Sequence, residues 1–310
     1  VTGERVLVTG ASGFVGRHLV RDLARRGYRV RIASRRLVET APDVEQVAIG
    51  DLAGVVDWRP ALDGVAHVVH GAGLAHADGE IPEERYARVN TEATLALARA
   101  AQGAGARRFV FLSSIRAQSG PVSARPLTEQ DEPAPSDAYG RSKLAAEQGL
   151  AALDLDWIAL RPVLVYGPGV KANMAALLAL ARLPLPLPLG ALDAERSLLA
   201  IENLGEAVAF ALTRDCPARR SYIVADPEPL CVAQMLAAMR AGLGRRPGLV
   251  AVPPWLLRLA AGLAGRSAAY ERLANGLVAR PEALIKAGWR PPVETRAGLM
   301  RLAHQPADAA

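Results

Sequence analysis

The stretch "DAYGRSKLAAE", residues 137–147, sets Tyr139 and Lys143 four positions apart at the predicted start of a helix. On a helix that spacing puts two side chains on one face, with about 5 to 6 Å between their Cβ atoms. Two readings fit: an exposed aromatic beside a solvated cation, or an acid/base whose proton affinity Lys143 tunes. A second stretch, "VLVTGASGFVGRHLV", places Gly10, Gly13 and Gly16 between a strand and a helix. Glycines there let the backbone turn sharply and approach a pyrophosphate, while the helix N-terminus faces the anion. His67, His70 and His76 surround "AHVVHGAGLAHADG", but their neighbours are apolar and no Cys or carboxylate ladder joins them, so no metal is expected.

Positioning such residues takes a scaffold, and the sequence spells one out. Strand-like apolar runs at "RVLVTG", "RVRIAS", "VEQVAIG", "AHVVHGA", "RRFVFLSS" and "WIALRPVLVYG" alternate with helical segments "GRHLVRDLARRG", "TEATLALARAAQGAG" and "AYGRSKLAAEQGLAAL". That rhythm predicts an α/β fold, a Rossmann-type doubly wound parallel sheet. After Gly169 the rhythm changes. Pro184, Pro186 and Pro188 in "RLPLPLPLG" predict extended backbone. "ENLGEAVAFALTRD" reads as a further sheet-covering helix, "RSYIVAD" as a short strand, and the tail from Pro229 as helical, with "VPPWLLRLAAGLAG" a buried helix. The expected division is 1–168 with 196–220 for the dinucleotide domain, and 169–195 with 221–310 for a smaller, interwoven α/β substrate lobe.

Composition narrows the partners. Of 310 residues, 51% are hydrophobic and 22% charged, with 37 Lys plus Arg against 31 Asp plus Glu. The net +6 suits an anionic small molecule. Nucleic acid is not expected, because only 5% of residues are aromatic and no basic run is interleaved with stacking residues. No apolar run reaches the 18 or so residues of a membrane span, and "VTGERVLVTG" lacks a signal-peptide layout. Peripheral membrane association stands as a secondary idea, since Arg258 and Arg266 flank an apolar segment. Two cysteines, Cys216 and Cys231, make no disulfide framework, which fits a reducing cytoplasm.

The end of the second strand selects among dinucleotides. An NAD site usually carries an acidic residue there for the ribose hydroxyls. This chain has Ser34, Arg35 and Arg36, whose donors match a 2′-phosphate better, so NADP(H) is favoured and NAD(H) possible. Asp51 and Leu52, after the third strand, fall where an adenine ring rests.

Taken together, "TGASGFVG", "VNTEATLALARAA", "FVFLSS", "YGRSK", "LRPVLVYGPG" and "GWRPP" resemble the extended short-chain dehydrogenase/reductase family. Within it they resemble the nucleotide-sugar epimerases, dehydratases and ketoreductases related to UDP-galactose 4-epimerase, in the family's order over nearly the whole chain. The resemblance implies that Tyr139 is the general acid/base at a sugar hydroxyl or carbonyl. A free phenol titrates near about 10, so it needs help as a base. Lys143 would favour the phenolate and hold the nicotinamide ribose, and Ser114 would donate to the same oxygen. Cofactor contacts are implied at Gly10, Ser12, Gly13, Phe14, Val15 and Gly16, at Gly71, Ala72 and Gly73, and at Asn90, Ser113 and Pro162. Asn90 reads equally as a structural mid-helix amide, and Ser113 as a group satisfying buried backbone.

For the substrate, the resemblance implies contacts from Ser114, Asn173 and Arg196, with extended backbone near Leu187 facing a nucleobase. Arg116 stands where the family often has a small hydroxyl and is a candidate contact for a substituent. "VPPWLLRLAAGLAG" replaces an acidic, arginine-bearing segment of many epimerases. The leading expectation is an NADPH-dependent reductase of a 4-keto nucleotide sugar, with UDP as the nucleotide. Its rival is a UDP-glucose or UDP-N-acetylglucosamine 4-epimerase that recycles NAD. Ile115-Arg116 supplies none of the carboxylates that dehydration uses in the relatives, and a non-catalytic NADP sensor has no need of an intact Tyr-Lys pair. A homodimer is implied, through two helices of each subunit.

Overall fold

The computed structural model describes residues 3–75 and 81–304. Val-, Ile- and Phe-rich runs form β1 (Arg5–Thr9), β2 (Arg29–Ser34), β3 (Glu45–Ala48), β4 (His67–His70), β5 (Arg108–Leu112) and β6 (Trp157–Pro162). Beyond them lie β7 (Leu164–Tyr166), β8 (Glu195–Arg196), β9 (Leu198–Ala200), β10 (Arg220–Val224) and β11 (Leu230–Cys231). The helices of the first half are α1 (Phe14–Arg25), α2 (Arg59–Leu62), α3 (Glu83–Tyr86), α4 (Ala93–Gly103) and α5 (Ala138–Ala151). Those of the second are α6 (Ala172–Arg182), α7 (Ile201–Leu212), α8 (Val232–Gly242), α9 (Pro254–Leu263), α10 (Ser267–Ala274), α11 (Glu282–Ala287) and α12 (Thr295–His304).

Among the described residues, seven strands pair in parallel in the order β10-β6-β5-β4-β1-β2-β3. The order reverses between β1 and β4, and ligands of such sheets bind in the crevice beyond the strand ends at that reversal. Helices cover both sheet faces, so the central strands β1, β4 and β5 are buried almost end to end, while the edge strand β3 is not. One core holds Leu19 and Leu23 of α1 with Leu204 and Val208 of α7. The other holds Leu97 of α4 and Ala146 and Leu150 of α5. A third core, around Tyr166, Leu177, Met235 and Leu299, belongs to the second lobe. The two lobes are tied by buried Asp226, which accepts hydrogen bonds from the Ala200 amide at 3.0 Å, Asn203 Nδ2 at 2.7 Å and the Tyr166 hydroxyl at 3.1 Å. Burial pushes that carboxyl up to about 6 against these donors.

Three expectations are revised. "WIALRPVLVYG" is two strands, because Pro162 has no N–H for the ladder; after Val163 donates to Val224 at 3.1 Å, the chain leaves the sheet and β7 pairs with β9. Arg220–Val224, expected as a short strand, forms the edge of the sheet beside β6. The helix read from "TEATLALARAAQGAG" begins earlier, at α3, and runs through a π-helical turn over Ala87–Glu92 into α4. Finally, α9 is a surface helix with no buried residue.

Candidate active site

The first turn of α5 brings the predicted residues together. Asp137 caps it, its carboxylate accepting the Gly140 amide at 2.7 Å, as Asp does at helix N-termini. Arg116 pairs with the same carboxylate through Nε at 3.1 Å and a second contact from Nη2. Gly140 permits the approach, since a Cβ there would lie 2.2 Å from the Arg116 carbonyl oxygen. Ser114 Oγ accepts the Arg116 amide at 3.2 Å and hydrogen-bonds with the Tyr139 phenol. Tyr86 packs edge-on to Tyr139 at 6.1 Å. Lys143 turns inward: Nζ donates to the Leu112 carbonyl at 2.9 Å and stands 4.6 Å over the Phe111 ring and 6.0 Å from the Tyr139 ring.

Burial governs the electrostatics. It pushes the Tyr139 phenol above its ordinary value, and the Ser114 hydrogen bond opposes that only in part. Burial also brings Lys143 down to about 8, with Glu147 one turn on holding it up. The expected phenolate support is thus indirect here, because the ammonium is bonded to a carbonyl and not to the phenol. Glu147 is anchored in turn by Arg161, by Ser113 Oγ and by Ser221 Oγ at 2.7 Å. Ser113 therefore spends its hydroxyl on Glu147 and its amide on the Leu160 carbonyl at 2.8 Å.

The glycine loop is shaped by two close approaches and one open space. Gly10 has φ +77°, and a Cβ on it would lie 2.6 Å from the Gly71 carbonyl carbon. A Cβ on Gly16 would lie 2.1 Å from the Gly10 oxygen. On Gly13 it would meet only that oxygen, at 3.4 Å. Gly13 caps α1 without a side-chain partner and the first turn has no acidic residue, so the amides of Phe14, Val15 and Gly16 face outward from a bare helix end. These features fit a dinucleotide pyrophosphate. Ser12 is exposed beside them, as are Arg35 and Arg36, which make no ion pair among the described residues; Ser34 Oγ donates to the Arg36 carbonyl at 2.6 Å. Asp51 folds back on the Ala53 amide at 3.0 Å, Leu52 is half-buried beside it, and Pro162 ends β6.

Opposite the glycine loop, Thr9 carries the strand end of Gly71-Ala72-Gly73. Its carbonyl accepts the Gly71 amide at 3.2 Å and its hydroxyl the Ala72 amide at 3.1 Å. His70 bridges Thr9 and Thr94 at 2.7 and 2.9 Å and stacks on Phe111; burial and the Lys143 charge hold it neutral, down to about 3. Asn90, in the π-helical turn, bonds both backbone groups of Leu74 and the Ser142 hydroxyl, and a Cβ on Gly73 would lie 2.7 Å from its Oδ1. Asn90 thus fixes the loop that lies against Lys143. Thr9, His70, Thr94, Asp137, Glu147 and Arg161 were not singled out from sequence as site residues. Only Asp137 carried a local signal, an acidic residue directly before a helix start.

Of the predicted substrate residues, Asn173 and Arg196 share one cleft of the second half, while Ser114 and Arg116 stand at the first turn of α5. Arg116 is committed to Asp137. Asn173 falls in the first turn of α6, where it is exposed and lines the same cleft as Arg196, while His76 lies outside the described residues. Leu187 donates its amide to Gly248 and accepts from Val250, both at 2.9 Å, which leaves neither backbone group for a nucleobase in this conformation. Arg196 Nη2 binds the carbonyls of Arg272, Leu273 and Asn275 at the end of α10. It lines an apolar cleft of about 650 Å³ between α6, α8, α9 and α10. Among the described residues no group of three His, Cys, Asp or Glu could hold a metal.

Residues 6–225 match the NAD dependent epimerase/dehydratase family. The chain belongs to that family. A UDP-glucose 4-epimerase of Vibrio cholerae is 34% identical over 318 residues, covering 97% of each chain. A ceramide reductase of Caulobacter vibrioides is 34% identical over 212 residues, 67% of this chain and 61% of that one. The solved Thermus thermophilus UDP-glucose 4-epimerase in complex with NAD superposes with a TM-score of 0.72 at 26% identity, over 97% of this chain and 98% of that one. As a member of the epimerase/dehydratase family, the chain is an NAD(P)-dependent enzyme on a Rossmann-like fold.

Proposed function

We propose that this enzyme is an NADPH-dependent reductase of a 4-keto group on a UDP-linked sugar. The observation that carries the reading is the end of β2, where Arg35 and Arg36 are exposed, make no ion pair among the described residues, and have no carboxylate on that strand end to bind a ribose diol. A 2′-phosphate satisfies two guanidinium groups that a diol leaves idle. The state of Tyr139 agrees, because a half-buried phenol held above its ordinary value and hydrogen-bonded to Ser114 is set to give a proton to a carbonyl oxygen. When bound, the nicotinamide supplies the hydride. This chain's residues do the rest: Ser114 and Tyr139 orient the oxygen, Tyr139 protonates it, and Lys143 supplies positive charge beside the ribose. We further propose a cytoplasmic homodimer, joined through α5 and a neighbouring helix, with the Arg196 cleft in the substrate lobe.

A UDP-hexose 4-epimerase is the second reading. It is favoured by the Vibrio relative's name and its alignment along 97% of both chains. An epimerase must return every electron pair to its own substrate, so it retains its dinucleotide. The test is cofactor preference: with Arg35 and Arg36 both replaced by Ala, the ratio of kcat/KM for NADPH over NADH should fall by about 10-fold or more, as expected when charge-assisted bonds to a phosphate are lost. An unchanged ratio rules the NADP reading out.

A further inference from the structure

The helix α9, "PWLLRLAAGL", points most of its apolar residues at water. Leu257 and Ala261 are half-buried toward the third core, yet Trp255 is 66% exposed, Leu259 56% and Leu263 84%. Positions 255, 259 and 263 recur every four residues, so these three form one outward stripe, and Leu256 widens it. Arg240 binds the carbonyls of Leu183, Leu185, Pro247 and Gly248, joining two segments that expose Leu185 and Val250. A contiguous apolar patch on a water-soluble domain marks a contact surface.

The charge around the patch says what it contacts. Residues 229–270 contain five arginines and no Asp or Glu. Arg240 is buried, while Arg245, Arg246, Arg258 and Arg266 are exposed on and beside α9. A second copy of this chain fits poorly, because a two-fold contact would set arginine against arginine with Glu271 as the one nearby acid. An anionic lipid surface meets both requirements: acyl chains take Trp255, Leu259 and Leu263, and headgroup phosphates take the arginines. We propose that α9 lies in the headgroup region of an anionic bilayer and holds the enzyme at the membrane surface. No helix among the described residues is long and apolar enough to cross one. The proposal is independent of the C4 chemistry.

The test uses the full chain and vesicles of phosphatidylcholine with or without phosphatidylglycerol. Trp58, Trp157 and Trp289 are buried, so any change in tryptophan emission on vesicle addition reports Trp255. The protein should float with the anionic vesicles, its emission should shift to shorter wavelength, and high salt should release it. Leu259→Asp with Leu263→Asp should weaken vesicle binding by about 10-fold or more, and Arg258→Glu with Arg266→Glu should do likewise. Both variants should keep dinucleotide binding, which excludes misfolding. Absence of flotation overturns the proposal, as does flotation that the leucine variants leave unchanged. It is equally overturned if those variants convert a self-associated wild type into a smaller species while vesicles are ignored.

Discussion

Tyr139 is half-buried, hydrogen-bonded to Ser114 and packed against Tyr86. Tyr139→Phe removes the hydroxyl but keeps the ring against Tyr86, so the fold and dinucleotide binding should persist while turnover falls by roughly 10² to 10⁴. Near-normal turnover would remove Tyr139 from the chemistry. Lys143 gives a separate signature. Its ammonium is charged below about 8 and neutral above, so kcat/KM for ketone reduction should decline as pH rises through that value. In Lys143→Met the activity should be low at every pH and that alkaline limb absent; a limb that survives the substitution belongs to another group. At this scale the sequence marked the side chains proposed to react, because Tyr-x-x-x-Lys and the serine pair are local patterns. It could not name His70 or Glu147. Their roles depend on Thr94, Arg161 and Ser221, residues 24, 14 and 74 positions away that only the folded sheet brings near.

Among the elements, the turn from β1 into α1 separates glycines that serve the fold from one proposed to serve the ligand. Gly16→Ala forces a methyl to 2.1 Å from the Gly10 oxygen and should lower stability by about 1 to 3 kcal/mol, read by chemical denaturation. Gly13 has ordinary extended dihedrals and space around its Cβ direction. Gly13→Val should therefore cost the fold at most about 1 kcal/mol, as a poorer helix cap, while dinucleotide affinity drops by about 10-fold or more. Equal effects of the two substitutions on stability would mean that the open space is not the cofactor's. The helices and strands that carry this turn were legible because their apolar periods differ. The split of β6 from β7 was not, since Pro162 alone marks it and a proline at a strand end is compatible with either outcome. The Glu147–Arg161 pair also belongs here: buried with almost no exposure, it locks α5 to β6, and breaking such a pair by removing one partner costs about 3 to 5 kcal/mol.

In the whole molecule Asp226 ties β7, the start of α7 and the end of β10 together, and the groups proposed to react gather beyond the end of β5. The parallel sheet and the glycine turn from β1 into α1 were readable from sequence, because each is written in a short run of neighbouring residues. The second lobe was readable only as extended and helical segments. Its predicted contacts are occupied by the protein's own backbone, Leu187 by Gly248 and Val250, and Arg196 by the end of α10. The same blindness hid the exposure of α9, since an apolar run of ten residues reads alike whether it faces a core or a bilayer. What the assembled site does to C4 is decided by where the hydride goes. NADPH deuterated at nicotinamide C4 on the transferred face, incubated with a UDP-4-keto-6-deoxy sugar and the wild-type enzyme, should yield product carrying deuterium at sugar C4, with one NADPH consumed per product. Interconversion of UDP-glucose and UDP-galactose by a tightly retained NAD, with no NADPH consumed and no deuterium incorporated, would contradict the account.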